Sequence, residues 1–459
     1  MTETRTRIET DLRRIGIDPD FWYPIALSRA IAAGNAVAAS FAGERIALYR
    51  GTSGRLYALE DRCAHRQVPL SMGVVEGDIL RCCYHAWAYR GTGRISQIPY
   101  LPKGVTRPPR GVRAYPVHEA FGLVFVFPGN PAKAAVMPPP ELPACVSPRH
   151  RTMTFSRTVL CHYSFLHENL LDMNHQFLHR GVLGKIEPTL LGYDTGPTSV
   201  EARYRFTHKA GKKDRGAGLL AAERVGGADN PDVITIRTEY PYQTLTLVPE
   251  GADLPAFSLW VAYVPEDAEQ RRSHVYGLLS IEKPRVPGAL HLAWPFIRRF
   301  TERVFAEDRM AVEAEQRAWD EQRGDRNHEV FPLILDVRDV LRNNGLPLAA
   351  PCVRLRVLHG HRAAIRAMSR SWHVRISDGV MPCDAGDSFT LSAMPSKARI
   401  RRRTSSAVPA AVTASTMRSG TAAARPSAAA PARKASSTAS CSAERPCAAQ
   451  KSAYVRTEP

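Results

Sequence analysis

Two close-set pairs of cysteine and histidine constrain this sequence more than any other feature. Cys63 and His65 are separated by one residue, and after a gap of sixteen residues they are followed by Cys82 and His85. Thiolate and imidazole groups are strong ligands for iron and zinc. Short strand-like runs and turns surround both pairs, so the sequence predicts a compact β domain that carries a metal site on two of its loops.

Two kinds of metal site fit these four ligands. In a [2Fe–2S] cluster, the two Cys would bind one iron and the two His the other, and neutral His would raise the reduction potential. A structural zinc site is the alternative. Zinc pairs usually show wider spacings, Cys-x₂₋₄-Cys and His-x₃₋₅-His, which this sequence lacks.

A second group of ionisable residues lies in a helical pattern from Ser164 to His179. At about 100° per residue, one stripe of this helix would carry the side chains of Glu168, Asp172, His175 and His179. The other faces of this helix are rich in leucine, so burying such a stripe costs free energy unless its members are paired or bind a metal. His175 and His179, four residues apart, can reach one ion. An exposed polar face, or core histidines with local partners, is the alternative.

A carboxylate that could complete a 2-His-1-carboxylate site lies in a later helical pattern, from about Pro295 to Gln322. Asp308 has apolar neighbours three and four residues away on both sides, so we expect it to face inward. Glu307 is predicted to point elsewhere. A surface salt bridge of Asp308 with Arg303 or Arg309 is the alternative.

The formal charge of +18 would suggest a nucleic-acid partner if it were evenly spread. From Pro351 to Pro459, however, 18 Lys and Arg stand against only 5 Asp and Glu. This tail is rich in Ala, Ser, Pro and Arg and poor in aromatic residues, which predicts disorder. Its basic run, Lys397 with Arg399–Arg403, lacks interleaved aromatic residues, and we expect no nucleic-acid partner.

The cysteine content and the hydropathy pattern indicate the compartment. Nine cysteines in 459 residues do not make a disulfide scaffold. No apolar run approaches the roughly 20 residues that a membrane helix needs, and the charged N-terminus shows no signal-like stretch. We therefore expect a cytoplasmic protein with no membrane span.

The order of strand-like and helical runs predicts an α+β protein. In the second half, strand-like runs cover Arg151–Leu160, Ser199–Thr207, Val233–Tyr240, Thr244–Val248, Phe257–Val264 and His274–Ile281. The predicted domains are a helical lead at 1–20, the β domain at 21–130, a Pro/Ala-rich linker at 131–150, a domain of mixed sheet and helices at 151–345, and the basic tail at 346–459.

The residues around the first metal site resemble the Rieske [2Fe–2S] domain. Besides the ligands, the matching positions are Arg66, Leu70, Tyr84, Trp87 and Tyr89. Ala86 departs from the pattern, since a glycine is usual there. The segment from Asp172 to His179 resembles the mononuclear-iron helix of Rieske non-haem iron ring-hydroxylating oxygenases, which carries Asp-x-x-His-x₃₋₄-His.

This resemblance, from about Phe21 to Gly345, implies a small all-β Rieske domain, a helix-grip-like catalytic domain and a set of site residues. Cluster ligands would be Cys63, His65, Cys82 and His85. Fe(II) ligands would be His175, His179 and Asp308. Asp172 would be the catalytic carboxylate that couples this iron to the Rieske histidine of a neighbouring subunit.

The resemblance also implies an activity, that of a mono- or dioxygenase. It would use O₂ to hydroxylate, dihydroxylate or dealkylate an apolar substrate, aromatic or polycyclic. Electrons would come from NAD(P)H through a separate reductase or ferredoxin, because the chain shows no Gly-x-Gly-x-x-Gly fingerprint of its own. A homotrimer is expected by resemblance. The alternative is a Rieske electron-transfer protein without a working mononuclear iron.

Overall fold

The computed structural model describes residues 11–109, 111–208, 233–249 and 251–348. Residues 349–459, nearly all of the predicted basic tail, lie outside the described residues, as does the first half of the predicted helical lead. In the rest of that lead, Leu12–Arg14 form a single turn of 3₁₀ helix. None of the helices in these ranges combines the length and the apolarity needed to cross a membrane.

The N-terminal part is built from short antiparallel strands in several small sheets. Its strands are β1 (Ile15–Gly16), β2 (Tyr23–Leu27), β3 (Ala36–Phe41), β4 (Glu44–Arg50), β5 (Leu56–Glu60), β6 (Val74–Glu76), β7 (Ile79–Arg81), β8 (Ala88–Arg90), β9 (Ile95–Gln97), β10 (Ala114–Tyr115), β11 (Val117–Ala120) and β12 (Leu123–Val126). Short 3₁₀ turns interrupt them at Ser28–Ala30 and Leu70–Met72. The sheet orders are β10-β5-β4-β3, β11-β12-β2 and β6-β7-β8-β9.

Strand β4 shows how this part is held together. Successive side chains of a strand point to opposite faces, and β4 is buried on both. Ile46 and Leu48 enter the main core of the protein, whereas Ala47 and Tyr49 enter a smaller core beneath the Cys/His loops. The same strand therefore fixes the metal-bearing loops to the rest of the molecule.

The second part holds the larger sheet and most of the helices. Two four-residue helices, α1 (Pro131–Ala134) and α2 (Pro143–Val146), lie in the predicted linker. The later elements are β13 (His150–Val159), α3 (Tyr163–Leu171), a 3₁₀ helix (Met173–Phe177), α4 (Arg180–Leu183), β14 (Ile186–Thr195), β15 (Ser199–His208), β16 (Val233–Glu239), β17 (Tyr242–Leu247), β18 (Phe257–Pro265), β19 (Ser273–Glu282), α5 (Ala289–Gln322), α6 (Pro332–Asn344) and β20 (Leu346–Pro347).

The seven long strands form one antiparallel sheet in the order β13-β19-β18-β17-β16-β15-β14. Helix α3 packs on it against β16 and β18, and also contacts α5 and α6. The main core runs from this sheet into the N-terminal part, where the ring of Phe125 lies 6.1 Å from that of Trp260. The α+β class is confirmed, and α3 is fixed between the sheet and two helices.

The predicted single helix from Ser164 to His179 is wrong. Helix α3 ends at Leu171, and Asp172 takes an extended conformation (φ −86°, ψ 92°). The reason is chemical: the Asp172 carboxylate accepts a hydrogen bond from the backbone N–H of Asn174 at 2.9 Å and so caps the following 3₁₀ helix. Aspartate competes with helical backbone hydrogen bonds in this way and favours helix starts over helix interiors.

Candidate metal centres

Two cysteine thiols meet beneath the loops of the β domain. Cys63 and Cys82 are both buried, and no disulfide joins them. The Sγ atom of Cys63 lies 3.2 Å from the hydroxyl oxygen of Tyr89, which also accepts the backbone N–H of Ala64. Burial and the neighbouring Cys63 raise the pKa of the Cys82 thiol. Two neighbouring thiols that form no disulfide bond can bind a shared metal, which would stabilise their thiolate form.

Backbone turns set the two loops. The backbone N–H of Cys63 donates to the Val68 carbonyl, and that of Cys82 to the Trp87 carbonyl. Each turn contains one residue with a left-handed backbone, Gln67 (φ 61°) and Ala86 (φ 53°). This left-handed backbone explains why the Rieske family usually has a glycine where this chain has Ala86, because only glycine takes a positive φ without steric cost.

Two imidazoles lie at the exposed tip of the same loops. The rings of His65 and His85 have centroids 4.5 Å apart. His65 stacks on Trp87 at 4.9 Å with ring planes 2° apart, which fixes its orientation. Partial desolvation, together with His65 and Arg66, lowers the pKa of His85. A neutral imidazole is the form that binds a metal.

The donor set fits a [2Fe–2S] cluster. Its sulfur donors are buried and its nitrogen donors are exposed, so the thiol pair would hold one iron and the imidazole pair the other. An iron with two imidazoles would then face solvent. These four residues were predicted to form one site, and in the structure their two loops are neighbours, with Cys63 and Cys82 in one small core and the two histidine rings in contact.

The second candidate centre begins at the break after α3. His175 lies in the 3₁₀ helix, and its Nδ1 atom contacts the backbone carbonyl of Asp172. His179 is the N-cap residue of α4 and is almost fully buried. Their ring centroids are 5.0 Å apart. The break in the helix therefore turns both rings toward α5, although the expected regular helix is absent.

Asp308 completes this group from the middle of α5. Its Oδ1 atom lies 3.0 Å from Nε2 of His179 and 3.6 Å from Nε2 of His175. One ligand atom from each residue fits within 4.8 Å of the others. The buried Nε2 of His179 lies close to this carboxylate but forms no hydrogen bond of regular geometry with it, so its lone pair can face a shared ion. Two imidazoles and one carboxylate with open positions are the donor set of non-haem Fe(II) sites.

Glu307 contacts the same histidine from the other side, and the expectation that it points elsewhere is wrong. Its Oε2 atom accepts a hydrogen bond from Nδ1 of His179 at 2.8 Å. Burial lowers the pKa of His179, but the carboxylates of Asp308 and Glu307 outweigh burial and raise it overall. The amide of Asn169 lies 3.4 Å from Oδ1 of Asp308. Neither Glu307 nor Asn169 had been identified from the sequence as part of the site.

Glu168 does not share one helical stripe with Asp172, His175 and His179 as predicted, but it is paired, which was one of the two outcomes expected for such a residue. Its carboxylate pairs with Arg13 at 2.6 Å and with Arg338 of α6 at 2.6 Å. Burial raises the pKa of Glu168, but the two guanidinium groups outweigh it and hold the pKa below its ordinary value. The end of α3 at Leu171 explains the difference, because residues beyond it no longer follow the angular period of the helix.

The comparisons with known proteins agree with both halves of this description. Residues 21–116 match the family model of the Rieske [2Fe-2S] domain, and residues 159–336 match the vanillate O-demethylase oxygenase C-terminal domain. The 4beta-methylsterol monooxygenase of Methylococcus capsulatus is 34% identical over 318 residues, which are 66% of this chain and 82% of that protein. The dicamba O-demethylase oxygenase component of Stenotrophomonas maltophilia is 37% identical over 136 residues, 29% of this chain and 40% of that protein.

Solved structures share the fold. Dicamba monooxygenase bound to 3,6-dichlorosalicylic acid superposes with a TM-score of 0.56 at 24% identity, over 73% of this chain and 98% of that one. Pseudomonas putida CBB5 NdmA with caffeine superposes with a TM-score of 0.54 at 20% identity, over 71% of this chain and 89% of that one. The relatives are oxidoreductases that use O₂, with a Rieske cluster and non-haem iron as cofactors. This chain therefore belongs to the Rieske non-haem iron oxygenases, as a catalytic (alpha) subunit.

Proposed function

We propose which residues hold the two cofactors of this oxygenase. Cluster ligands are Cys63, His65, Cys82 and His85. Fe(II) ligands are His175, His179 and Asp308. The observation that carries the proposal is the convergence of three ligand atoms from separate elements within 4.8 Å, one of them a buried nitrogen with no hydrogen-bond partner.

When bound, the cluster and Fe(II) supply electron transfer and O₂ chemistry, and the chain supplies placement. Because Nδ1 of His179 donates to Glu307, its Nε2 keeps a free lone pair for the metal. The contact of His175 Nδ1 with the Asp172 carbonyl does the same for the other ring. Asn169 steadies the Asp308 carboxylate. Burial of the His179 ring excludes water from that side of the centre, whereas His175 and Asp308 are half-buried.

Counting iron and acid-labile sulfide tests this assignment. Anaerobically purified wild type is expected to hold three irons and two sulfides per chain, on the cofactor stoichiometry of one cluster and one Fe(II). His175→Ala should lose one iron with its Rieske spectrum unchanged. Cys63→Ser should lose the cluster spectrum and the sulfide. Two irons in both wild type and His175→Ala would support the rival electron-transfer protein without a mononuclear iron.

Electron supply within the assembly is a further part of the proposal. A separate reductase or ferredoxin reduces the cluster, and the assembly is a homotrimer. Asp172 accepts a hydrogen bond from His65 or His85 of a neighbouring copy, which the exposure of both imidazoles allows. The carboxylate of Asp172 is half-buried beside the centre.

Oligomers that mix two variants test whether electrons pass from one copy of the chain to the next. His65→Ala chains lack a working cluster, and His175→Ala chains lack the mononuclear iron, so each homo-oligomer should be inactive. Co-expressed with different tags and purified through both, the mixed oligomer should recover a part of the wild-type turnover. No recovery in a mixed oligomer that carries both cofactors would mean that electrons stay within one chain.

We propose that the substrate is a polycyclic apolar compound with a methyl group to be oxidised. The support is the methylsterol monooxygenase, whose similarity extends over 82% of its length, whereas the dicamba O-demethylase match extends over 40%. Incubation with a reductase, NADH and a 4-methylsterol should give the hydroxymethyl product, detected by mass spectrometry, and dicamba should not react. Oxidation of dicamba but not of the sterol would reverse this assignment.

A further inference from the structure

The N-terminal end of helix α5 presents large apolar side chains to the outside. Leu292 is 80% exposed and Phe296, four residues on, is 72% exposed, while Val286 in the preceding loop is 66% exposed. The opposite face of the same turns is buried, with Leu290 and Ile297 packed against Leu279 of the sheet. A surface helix normally carries polar residues on its outer face. Large exposed apolar groups in one place mark a contact surface.

The same segment is strongly basic. Between residues 283 and 303 it holds five cations, all exposed: Lys283, Arg285, Arg298, Arg299 and Arg303. Its one carboxylate, Glu302, is already paired with Arg157. No ion pair of Arg299 or Arg303 occurs among the residues that the structure describes. Whatever covers this face must therefore accept apolar side chains and carry negative charge.

We propose that this face, residues 283–303, docks on the surface of an anionic phospholipid bilayer. Helices that lie in the plane of a membrane interface combine leucine and phenylalanine with arginine at the margin, as here. Anionic headgroups attract each nearby Lys or Arg by about 1 kcal/mol. A two-fold contact with a second copy fits less well, because it would bring the same five cations face to face, and in the homotrimer proposed above this face would lie outside the three-fold contacts.

The same helix connects the proposed docking face with the candidate metal centre. Helix α5 carries the face at its beginning and Asp308 twelve residues beyond Phe296, a rise of about 18 Å along the axis. An apolar substrate dissolved in a bilayer would then meet the enzyme at the end of the helix that holds the metal ligand. The proposal concerns binding alone and does not depend on the metal assignment or the substrate given above.

Vesicle sedimentation with the full chain tests the docking. Wild type should sediment with phosphatidylcholine vesicles that contain phosphatidylglycerol, and far less with pure phosphatidylcholine. The double variant Leu292→Ser, Phe296→Ser should lower the partition constant at least about tenfold, since two large apolar groups no longer enter the interface. Arg299→Gln with Arg303→Gln should lower it about fivefold for each charge removed at low salt.

The control removes two exposed apolar residues elsewhere, Val136 (82%) and Val146 (70%), by Val→Ser changes. It should bind as wild type does, and the basic tail contributes equally to every protein compared. Cluster absorbance and circular dichroism verify folding. Equal binding of wild type and the Leu292/Phe296 variant would overturn the proposal. So would a changed oligomeric state with unchanged vesicle binding, which would make the face a contact between copies.

Discussion

At the scale of single residues, the imidazole of His179 has a carboxylate of one helix beside each of its two nitrogens. Glu307 accepts from Nδ1 at 2.8 Å, and Asp308 lies 3.0 Å from Nε2. Adjacent residues of a helix point about 100° apart, which lets two neighbouring carboxylates reach opposite edges of one ring. A hydrogen-bonded carboxylate behind a metal-binding histidine fixes its tautomer and its direction.

Removing Glu307 should therefore weaken iron binding without touching the cluster. Glu307→Ala is expected to lower Fe(II) affinity about tenfold or more. Glu307→Gln should lower it less, because the amide oxygen still accepts the Nδ1 proton. Competition with a coloured chelator measures the affinity, and the Rieske absorbance serves as an internal reference. Glu321→Gln, an exposed residue at the end of the same helix, should change nothing.

Ala86 gives a prediction about the cluster loop. Its left-handed backbone costs an L-residue about 1–2 kcal/mol, and glycine removes that cost while adding some unfolded-state entropy. Ala86→Gly should stabilise the loop by up to about 1 kcal/mol. Ala64 also lies in a loop but does not have a positive φ, so Ala64→Gly should destabilise the loop. The midpoint of thermal bleaching of the cluster measures both, and a lower midpoint for Ala86→Gly would contradict the argument.

The cysteines and histidines of both candidate centres stood out in the sequence by their spacing together with the resemblance to Rieske oxygenases, and the structure brings His65 close to His85 and His175 close to His179. The role of Glu307 was not predictable, because it depends on which side of α5 faces His179. The ion-pair partners of Glu168 were not predictable for a related reason. Its guanidinium partners, Arg13 and Arg338, lie 155 and 170 residues away in the sequence, and no local pattern connects them.

At the scale of elements, the interruption after α3 is what lets His175 and His179 turn toward α5. A 3₁₀ helix with three residues per turn follows, and α4 then starts at His179 itself. Three residues between the two histidines are therefore enough to bring both Nε2 atoms to Asp308. The Asp172 cap that starts the 3₁₀ helix is thus part of the geometry of the centre.

Asp172 consequently has two separable roles, as a cap and as a proposed bridge between copies. Asp172→Asn keeps an oxygen for the Asn174 N–H, so iron content should stay near that of wild type while turnover falls at least about tenfold. Asp172→Ala loses the cap as well, at a cost of about 1 kcal/mol, and should also lose iron. Iron analysis and product formation together separate the roles. Full turnover in Asp172→Asn would exclude the bridging role.

Most strands of the large sheet follow from their alternating and β-branched sequences, and the structure has them within two residues of the predicted ends. Strand β14 was missed because its sequence, with Pro188 and Gly192, lowers strand propensity, and it lies at the sheet edge where such residues are tolerated. Helix α6 was also missed, although Pro332 at its first position is a start signal. Helix α5 begins six residues before the predicted Pro295, behind Gly288 in a left-handed conformation.

At the scale of the whole molecule, one buried ion cluster joins three distant parts of the chain. Arg13 precedes the first strand, Glu168 lies in α3 and Arg338 in α6. The guanidinium of Arg13 also lies 3.6 Å from the ring centroid of Phe165. Removing one member of such a cluster leaves uncompensated buried charge, which costs more than the loss of a surface pair.

Glu168→Gln should therefore lower the free energy of unfolding by about 3 kcal/mol near neutral pH. The folded-state pKa of Glu168 is lowered, so its contribution is complete above the ordinary carboxyl pKa and is lost as pH falls through the folded value. The difference from wild type should shrink below about pH 5. Urea unfolding at several pH values measures it. Asp253→Asn, which breaks the exposed pair with Arg149, should leave the free energy of unfolding close to that of wild type at every pH.

Pairing of β1 with β20 has a consequence for the time course of folding. Ile15 pairs with Pro347 and Gly16 with Leu346, so the first described strand has no partner until almost the whole fold has been synthesised. Contacts this distant in sequence carry a large loop-closure cost and form slowly. On the ribosome, the small cores of the β domain can form while the catalytic sheet is still inside the exit tunnel. We therefore expect a late folding step in which the first described strand closes onto the last described one, which also brings Arg13 into the cluster with Glu168.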